Sequence, residues 1–390
     1  MVRLGMLTVS LGACTTLATL AGIARADSSG ASFSVLDQLL SALLDPGETA
    51  SAPDMQISIN GMELFPTTDN TATATSGSGD IAIAIGDGAN ANASGSYDLA
   101  FAHGPNSTAE GVLGSSLSLI AADGDASHAT NAFGGFLDTA FADGAGSNTT
   151  TGIGAVGDLA LAHGSGSEAS AGSLGFFDNA VAVGAGAHSI AGIGATLGTA
   201  AAFGDNASAL VAASLGDLAT ALGADSVAAT AGGGDVLALA TAGGDANAVG
   251  VFEAALGNGA NSDATAGGIL GLAFALGSDL KAIDSGILDF ASVFGTNAEA
   301  DATTGIADLA SVLDLGGAHD LAVAGGTSAG NGNLDVATIL GAGSTASAGS
   351  DSTASGSFDL AAVLGNMLDA NATGGNLLLD IALPFLSLPL

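Results

Sequence analysis

Aspartate residues recur at regular intervals along this 390-residue chain, and their spacing is the feature best suited to chemistry. Nine of them stand six positions before a glycine: Asp80, Asp98, Asp138, Asp158, Asp178, Asp217, Asp289, Asp335 and Asp359. Carboxylates stacked one repeat apart would repel one another, and a hard cation such as Ca²⁺ would relieve that repulsion. Asp138, Asp158 and Asp178 are therefore candidate calcium ligands. An Asp that begins a strand and accepts backbone N–H groups is the other interpretation, and the G-G-x-G-x-D repeat of calcium-binding rolls is absent.

Four of the five histidines form two further columns. His103 and His163 are one pair, and His128 and His188 are the other, each separated by three repeats. Three stacked coils measure on the order of 14 Å, which is too far for two side chains of one chain to share a metal ion. We expect histidines that face solvent, and no cofactor other than Ca²⁺.

Motifs for other chemistry are scarce. The sequence has no H-E-x-x-H zinc motif and no G-x-x-x-x-G-K-[ST] phosphate-binding loop. Lys281 is the only basic side chain after Arg25, which disfavours phosphate and Schiff-base chemistry. We expect a protein that is not an enzyme. A β-helix enzyme acting on polysaccharides is the alternative, but it would need basic residues that are not available.

Composition and charge exclude several partners. There are 38 acidic residues against 3 Lys and Arg, giving a formal net charge of −35. Binding of nucleic acid requires Lys or Arg to neutralise phosphates, so we expect no nucleic-acid partner. The chain also holds 62 Gly and no Trp. Small side chains bury little area each, which predicts a thin core between backbones that approach closely.

The first 26 residues have the pattern of a secretory signal peptide. Arg3 precedes an apolar run over 4–23, and Ala24-Arg25-Ala26 supplies small residues for cleavage. An uncleaved anchor is a second interpretation, and lipidation of Cys14 within Leu-Gly-Ala-Cys is a third. Cleavage after Ala26 predicts a secreted or cell-surface protein without cysteine and with no membrane span in the mature chain.

Residues 27–79 differ in pattern from the repeats after them and predict an N-terminal cap and linker. Phe33, Leu36, Leu40 and Leu43 recur at helical spacing, which predicts a short amphipathic helix that caps the array or oligomerises. Residues 55–65 predict a β-hairpin with Asn60-Gly61 at its turn.

A period of about 20 residues organises the chain after residue 79. The repeat is strand, Gly turn, strand and a Gly/Phe/Leu-rich return, and Ala stands two places before each glycine from Gly104 to Gly204. Residues two apart share a face of a strand, so these alanines form a small inner face. The larger residues between them are left outside, where an apolar stripe marks an interface: Leu99, Phe101, Phe141, Leu159, Leu161 and Val181.

The pattern predicts an all-β fold, a β-solenoid (β-roll) of coils of about 20 residues with a short N-terminal helix and capping segments. We expect regular coils over 80–225, degenerate coils over 226–375 and an apolar C-terminal cap over 376–390. The last segment is too short, and too interrupted by Asp380 and Pro384, to span a bilayer as a helix.

The segments 81–96 and 180–194 resemble the YadA-like head repeats of trimeric autotransporter adhesins, which form a left-handed β-roll. Gly/Ala-rich secreted repeat proteins of actinobacteria are a looser resemblance. The first resemblance implies a homo-oligomer, in that family a trimer. This chain departs from the family in its longer period and in lacking the stalk and membrane barrel.

Together these features predict a secreted, non-enzymatic, adhesin-like or structural surface repeat protein. It would present an acidic β-solenoid for multivalent contacts with a host or matrix surface ligand. A Ca²⁺-responsive secreted repeat protein is the alternative that the Asp column supports.

Overall fold

The computed structural model describes residues 54–389, except 65–69, 193–196, 212–217, 224–225, 232–236, 242–244, 250, 253, 260–262, 268, 278–280, 286–287, 289, 296, 303–307, 314–319, 325–334, 342, 349–358, 367, 373–377 and 384–385. The predicted signal peptide, Cys14 and the predicted helix around 33–44 lie outside the described residues. Within the described ranges every regular element is a β-strand.

The first seventeen strands are β1 Met55–Ile59, β2 Met62–Glu63, β3 Thr73–Ser76, β4 Ile81–Ile85, β5 Asn90–Ala93, β6 Leu99–His103, β7 Thr108–Gly111, β8 Leu119–Asp123, β9 His128–Asn131, β10 Thr139–Asp143, β11 Asn148–Thr151, β12 Leu159–His163, β13 Glu168–Ala171, β14 Asn179–Val183, β15 His188–Ile190, β16 Thr199–Phe203 and β17 Ser208–Val211. The remaining strands are β18 Leu218–Leu222, β19 Val227–Ala231, β20 Leu237–Thr241, β21 Asp245–Val249, β22 Ala254–Leu256, β23 Asp263–Ala266, β24 Leu272–Phe274, β25 Lys281–Asp284, β26 Phe290–Ser292, β27 Ala298–Ala302, β28 Leu309–Val312, β29 Asp320–Ala324, β30 Val336–Ile339, β31 Thr345–Ala348, β32 Asp359–Val363, β33 Asp369–Ala372, β34 Leu378–Leu383 and β35 Leu386–Pro389.

Successive strands alternate between two long sheets, as a β-solenoid requires. Sheet A has 19 strands, the even-numbered strands β4–β34 together with β1, β2 and β35, and sheet B has 16, the odd-numbered strands β3–β33. Neighbouring coils pair in parallel, and from β6 to β16 the paired residues are 20 apart, as in Leu99↔Leu119 and Leu159↔Asn179. In later coils the offset varies, from 17 at Leu237↔Ala254 to 27 at Leu309↔Val336. The all-β solenoid with coils of about 20 residues is thus confirmed.

The core between the sheets is built almost entirely of alanine. Ala100, Ala102 and their equivalents in successive coils are fully buried, and the alternate residues point outward. The core is thin, as the composition predicts, because only small side chains fit between two closely spaced sheets. Later coils use larger residues at the position of Ala102, including Val293 and Ile339, which are also fully buried.

The first turn of each coil, which we call the glycine turn, joins a strand of sheet A to the next strand of sheet B. Its first residue is a glycine at positive φ, for example +112° at Gly104 and +121° at Gly144. A Cβ on Gly144 would lie 2.7 Å from the carbonyl oxygen of Gly164 in the next coil. Glycine is therefore required twice, by backbone conformation and by the stacking of the coils.

A buried serine closes the glycine turn in four consecutive coils. The Ser107 hydroxyl donates to the Gly104 carbonyl at 2.9 Å, and Ser147 and Ser167 repeat the contact at 2.9 Å. Ser127 makes the same bond at 3.2 Å. The sequence pattern Gly-x-x-Ser thus has a local structural cause.

Antiparallel hairpins form the two ends of sheet A. The predicted hairpin is confirmed, since β1 and β2 pair through Ile59↔Met62 around Asn60 and Gly61, both at positive φ. Strand β1 also pairs antiparallel with β4. At the other end β34 pairs with β32 in parallel and with β35 in antiparallel fashion. In the part of the chain that the structure describes, no helix of the length and apolarity needed to cross a membrane is found.

Candidate functional site: the repeated columns

Each column of equivalent residues runs the length of the solenoid, so a functional side chain must be judged with its neighbours above and below. Four columns contain candidate residues: the buried aspartates, the histidines, the outer residues of sheet A and the second turn of each coil. They differ in burial and in the partners that the fold gives them.

The aspartates lie inside the solenoid, at the entry to the sheet A strands. Asp80, Asp138, Asp158 and Asp178 are at most 1% exposed. In each case Oδ1 accepts the N–H of the equivalent residue one coil further on, at 3.1 Å from Asp158 to Asp138 and at 2.9 Å from Asp178 to Asp158. The strand-entry interpretation is therefore supported, with the difference that the bond joins two coils and ties them together.

The second carboxylate oxygen of these residues has no hydrogen-bond partner. This holds for Oδ2 of Asp80, Asp138, Asp158 and Asp178. Burial raises the pKa of Asp138, Asp158 and Asp178 to about 6, and the neighbouring carboxylate adds to the rise for the first two. The fold thus holds partly desolvated acids in one column.

The calcium interpretation stays a prediction. The structure brings Asp138, Asp158 and Asp178 into successive coils, and each already accepts a backbone N–H. Among the described residues, no three His, Cys, Asp or Glu side chains are grouped so that they could hold a metal ion. Two further members of the predicted column, Asp217 and Asp289, lie outside the described residues.

Four histidines lie on strands, and three of them pair with acids. His103 Nδ1 is 2.7 Å from Asp123 Oδ1, and His163 Nδ1 is 2.9 Å from Asp143 Oδ2. His188 lies 3.2 Å from Glu168 in the same way on sheet B. All three histidine side chains are between 28% and 50% exposed, so these are cross-strand surface pairs. The sequence pattern suggests that His103 and His163 begin the turn before their glycines, and this is wrong, because strands β6 and β12 run on to His103 and His163.

The predicted interface residues occupy the outer side of sheet A. Leu99, Phe101, Phe141, Leu159, Leu161 and Val181 all alternate with buried alanines and are half-buried. Side chains of neighbouring coils partly cover one another from solvent, since Phe101 lies beside Ala121 and Phe141 lies beside Leu161. Their predicted role as an interface with a partner stays a prediction.

The second turn of each coil, which we call the return turn, carries the most exposed apolar side chains. It leads from sheet B back to sheet A over residues 112–118 and their equivalents. Single parallel bridges join successive return turns, from Ser96 through Ser116, Phe136 and Val156 to Phe176. We name the exposed large hydrophobic residues of this surface the apolar ridge: Tyr97, Leu113, Leu117, Phe133, Phe136, Leu137, Ile153, Leu174, Phe176, Phe177 and Leu197.

Reasoning from the sequence missed the apolar ridge. The return segments are visibly Gly/Phe/Leu-rich, but only the strand columns were compared. A signal was present, because a large apolar residue directly precedes the buried aspartate in Tyr97-Asp98, Leu137-Asp138 and Phe177-Asp178.

One serine motif was also missed. Residues 326–330 read Gly-Thr-Ser-Ala-Gly, which matches the G-x-S-x-G spacing of hydrolase nucleophiles. That motif functions on a turn between a strand and a helix. The pentapeptide itself lies outside the described residues, and the described elements on either side are strands β29 and β30. The described elements that flank the motif therefore do not provide the strand–helix pair of a hydrolase.

No protein-family model, no curated protein and no solved structure matches the chain.

Proposed function

We propose that this chain is an exported, non-enzymatic adhesin-like or structural protein that makes multivalent contacts outside the cell. The observation that carries the proposal is the repetition of outward-facing side chains in register. Because coils 20 residues apart pair in parallel, a contact that one coil makes is offered again about 4.8 Å away by the next. Many weak contacts in fixed geometry add up to strong attachment.

The charge distribution agrees with an extracellular contact role. The chain has a formal net charge of −35, while the outer side of sheet A is largely apolar in strands such as β6 and β12. A surface with both properties suits a large or irregular partner better than a small substrate. The signal-peptide pattern of residues 1–26 supports export.

The number of coils provides a direct test. Deleting residues 139–158 joins Asp138 to Leu159, and deleting 139–178 joins Asp138 to Asn179, so one or two complete coils are removed with the register intact. Beads coated with the full chain or with either deletion would be passed under flow over fibrillar matrix protein and over an epithelial monolayer. Beads coated with albumin, another acidic protein, are the control.

We expect beads carrying the full chain to be retained above the albumin level, and retention to fall with each coil removed while circular dichroism still reports β-structure. Retention equal to that of albumin on both layers would contradict the adhesin-like role.

A second candidate, a calcium-responsive protein, is favoured by one observation. The buried Oδ2 atoms of Asp138, Asp158 and Asp178 have no hydrogen-bond partner. If Ca²⁺ binds there, millimolar calcium should raise the melting temperature and chelator should reverse the rise. The Asp158→Asn variant should lose this rise in melting temperature. An equal rise with Mg²⁺ or NaCl would show that charge screening causes it and that no specific calcium site is present.

A further inference from the structure

The apolar ridge is exposed to an unusual degree for a single chain. Its eleven side chains are between 42% and 67% exposed. At about 100 Å² for each half-exposed side chain, the ridge presents on the order of 1,000 Å² of apolar surface. Monomeric soluble proteins rarely show a contiguous apolar patch above a few hundred Å².

Six of the eleven ridge residues have a backbone conformation that Leu, Phe and Tyr rarely adopt. Their φ angles lie between +58° and +64°, at Tyr97, Leu117, Leu137, Leu174, Phe177 and Leu197. The N–H groups of Leu117, Leu137 and Phe177 donate to carbonyls of the preceding coil at 2.9–3.0 Å. A left-handed residue is therefore built into the return turn, and this chain fills the position with large apolar side chains where Gly or Asn would be less strained.

Up to the residue before the buried aspartate position, the first six return turns are also free of charge in an otherwise acidic sequence. Residues 94–97, 112–117, 132–137, 152–157, 172–177 and 192–197 contain no Asp, Glu, Lys, Arg or His. Two such surfaces can therefore meet without bringing carboxylates together. This matters because a formal charge of −35 would otherwise keep two copies apart.

We propose that the apolar ridge is an interface, covered by the same ridge of a second copy of this chain. Its area matches the roughly 800 Å² that each partner contributes to a stable protein interface. Self-association through one repeated surface is the usual basis of symmetric oligomers. The inference stands independently of the proposed adhesion.

The length of this surface argues against a short segment of the same chain as its cover. Phe252, Leu270 and Leu288 repeat the same exposed, left-handed arrangement in later return turns. From Tyr97 to Leu288 the solenoid advances ten coils, or about 48 Å at ~4.8 Å per coil. A helix over residues 33–44, as the sequence predicts, would be only about 18 Å long, whereas a second solenoid has the same length and the same repeat.

The outer side of sheet A is the competing interface, and it differs in two respects. Its apolar residues are less exposed, being half-buried in β6–β14 and reaching 38% at Phe203 and 42% at Leu222, whereas the ridge residues are 42–67% exposed. It also carries the pairs His103–Asp123 and His163–Asp143. Substitutions can test the two surfaces independently, because equivalent positions in other coils show which smaller polar residues each position accepts.

The test compares two triple variants of the full chain by light scattering coupled to gel filtration. The ridge variant carries Leu117→Asn, Leu137→Asn and Phe177→Asn. Asn tolerates the left-handed conformation, as Asn106 and Asn206 show at φ of 56° and 58°. The control carries Leu99→Thr, Phe101→Thr and Leu161→Thr, and Thr already occupies these columns at Thr139, Thr199 and Thr220. Circular dichroism and thermal melting verify folding.

The proposal expects the unaltered chain and the sheet A control to have at least twice the mass of one chain, and the folded ridge variant to have the mass of one. A ridge variant that does not fold is replaced by Leu137→Asn alone, for which at least a tenfold weaker association is expected. An unaltered chain of single mass would overturn the proposal, even if that chain then bound neutral phosphatidylcholine vesicles. Dissociation by the sheet A control alone, or by neither variant, would also overturn it.

Discussion

Each coil changes direction at two turns, and the glycine turn and the return turn meet the same backbone requirement with opposite side chains. Both contain residues at positive φ. At the glycine turn these residues are Gly, Asn or Ala, such as Gly146, Asn106 and Ala126, whereas at the return turn they include Leu137 and Phe177. Local sterics favour the first choice. The second choice places strained, exposed side chains at the turn, so closing the coil does not by itself explain the residues found there.

The two turns also differ in what lies over their positive-φ glycines. At the glycine turn, backbone meets backbone, and a Cβ on Gly144 would overlap Gly164. At the return turn, a Cβ on Gly157 would meet the Phe177 ring at 2.7 Å, while the backbones approach each other at Gly152, whose added Cβ would overlap the Gly172 carbonyl. Both turns therefore bring neighbouring coils into close contact, and the return turn also displays large side chains.

The largest effect is expected from adding a methyl group at the glycine turn. Gly144→Ala places a Cβ 2.7 Å from the Gly164 carbonyl oxygen at a φ of +121°, so we expect a loss of about 3 kcal/mol or more in unfolding free energy. The matched control is Gly146→Ala, where φ is +66° and no atom lies within 4 Å of the added Cβ. It should cost about 1 kcal/mol. Equal urea midpoints for the two variants would refute the role assigned to coil stacking.

The next effect concerns pH and the buried aspartates. With the pKa of Asp138, Asp158 and Asp178 raised to about 6 from an ordinary 3.8, the folded state holds protons that the unfolded state releases. Stability is then greatest below about pH 4, falls as pH rises to about 6, and levels off above it. Each carboxyl contributes up to roughly 3 kcal/mol to this fall.

Asp158→Asn provides the check on that pH dependence, because the amide oxygen can still accept the Asp178 N–H. Urea unfolding at pH 4.5 and pH 7.5 should show a smaller difference for Asp158→Asn than for the unaltered chain. Asp125→Asn, at an exposed glycine-turn position, removes one charge without removing a buried carboxyl and serves as the control. A chain that is more stable at pH 7.5 than at pH 4.5 would contradict the assignment.

A smaller effect is expected at the return turn. Leu137→Asn replaces a strained, half-exposed leucine by the residue that best tolerates its φ of +61°, so the single chain should be unchanged or more stable by up to about 1 kcal/mol. Urea unfolding at two protein concentrations separates this backbone effect from any loss of association. A loss above 1 kcal/mol in the dilute sample would mean that Leu137 packs within its own chain.

The smallest effect is expected for the histidine pairs. His163 and Asp143 are both partly exposed, at 43% and 28%, and exposed ion pairs contribute about 0–1 kcal/mol. His163→Gln and Asp143→Asn, combined in a double-mutant cycle at pH 6, should give a coupling below about 1 kcal/mol. A larger coupling would indicate that the pair carries more than local stability.

Much of the fold could be predicted because the repeat makes each column visible in the sequence. Ala100 and Ala102 indicate a narrow interior by their size and their period of two, and Gly104 indicates a turn. The return turn could not be predicted in this way. Its key property is that Leu117 and Leu137 adopt positive φ, and that property comes from hydrogen bonds between coils, with no local sequence preference to reveal it. Likewise, the sequence identifies the aspartates as strand-entry residues, but their partners one coil away depend on the stacking.

The most direct test of the account compares phenylalanine side chains in the unaltered chain by hydroxyl-radical footprinting and mass spectrometry. In a single chain Phe133 and Phe177 are 58% and 56% exposed, whereas Phe203 on sheet A is 38% exposed. If a second copy covers the apolar ridge, Phe133 and Phe177 should react more slowly than Phe203, and this order should reverse in the ridge variant. Faster reaction of Phe133 and Phe177 than of Phe203 in the unaltered chain would contradict the account.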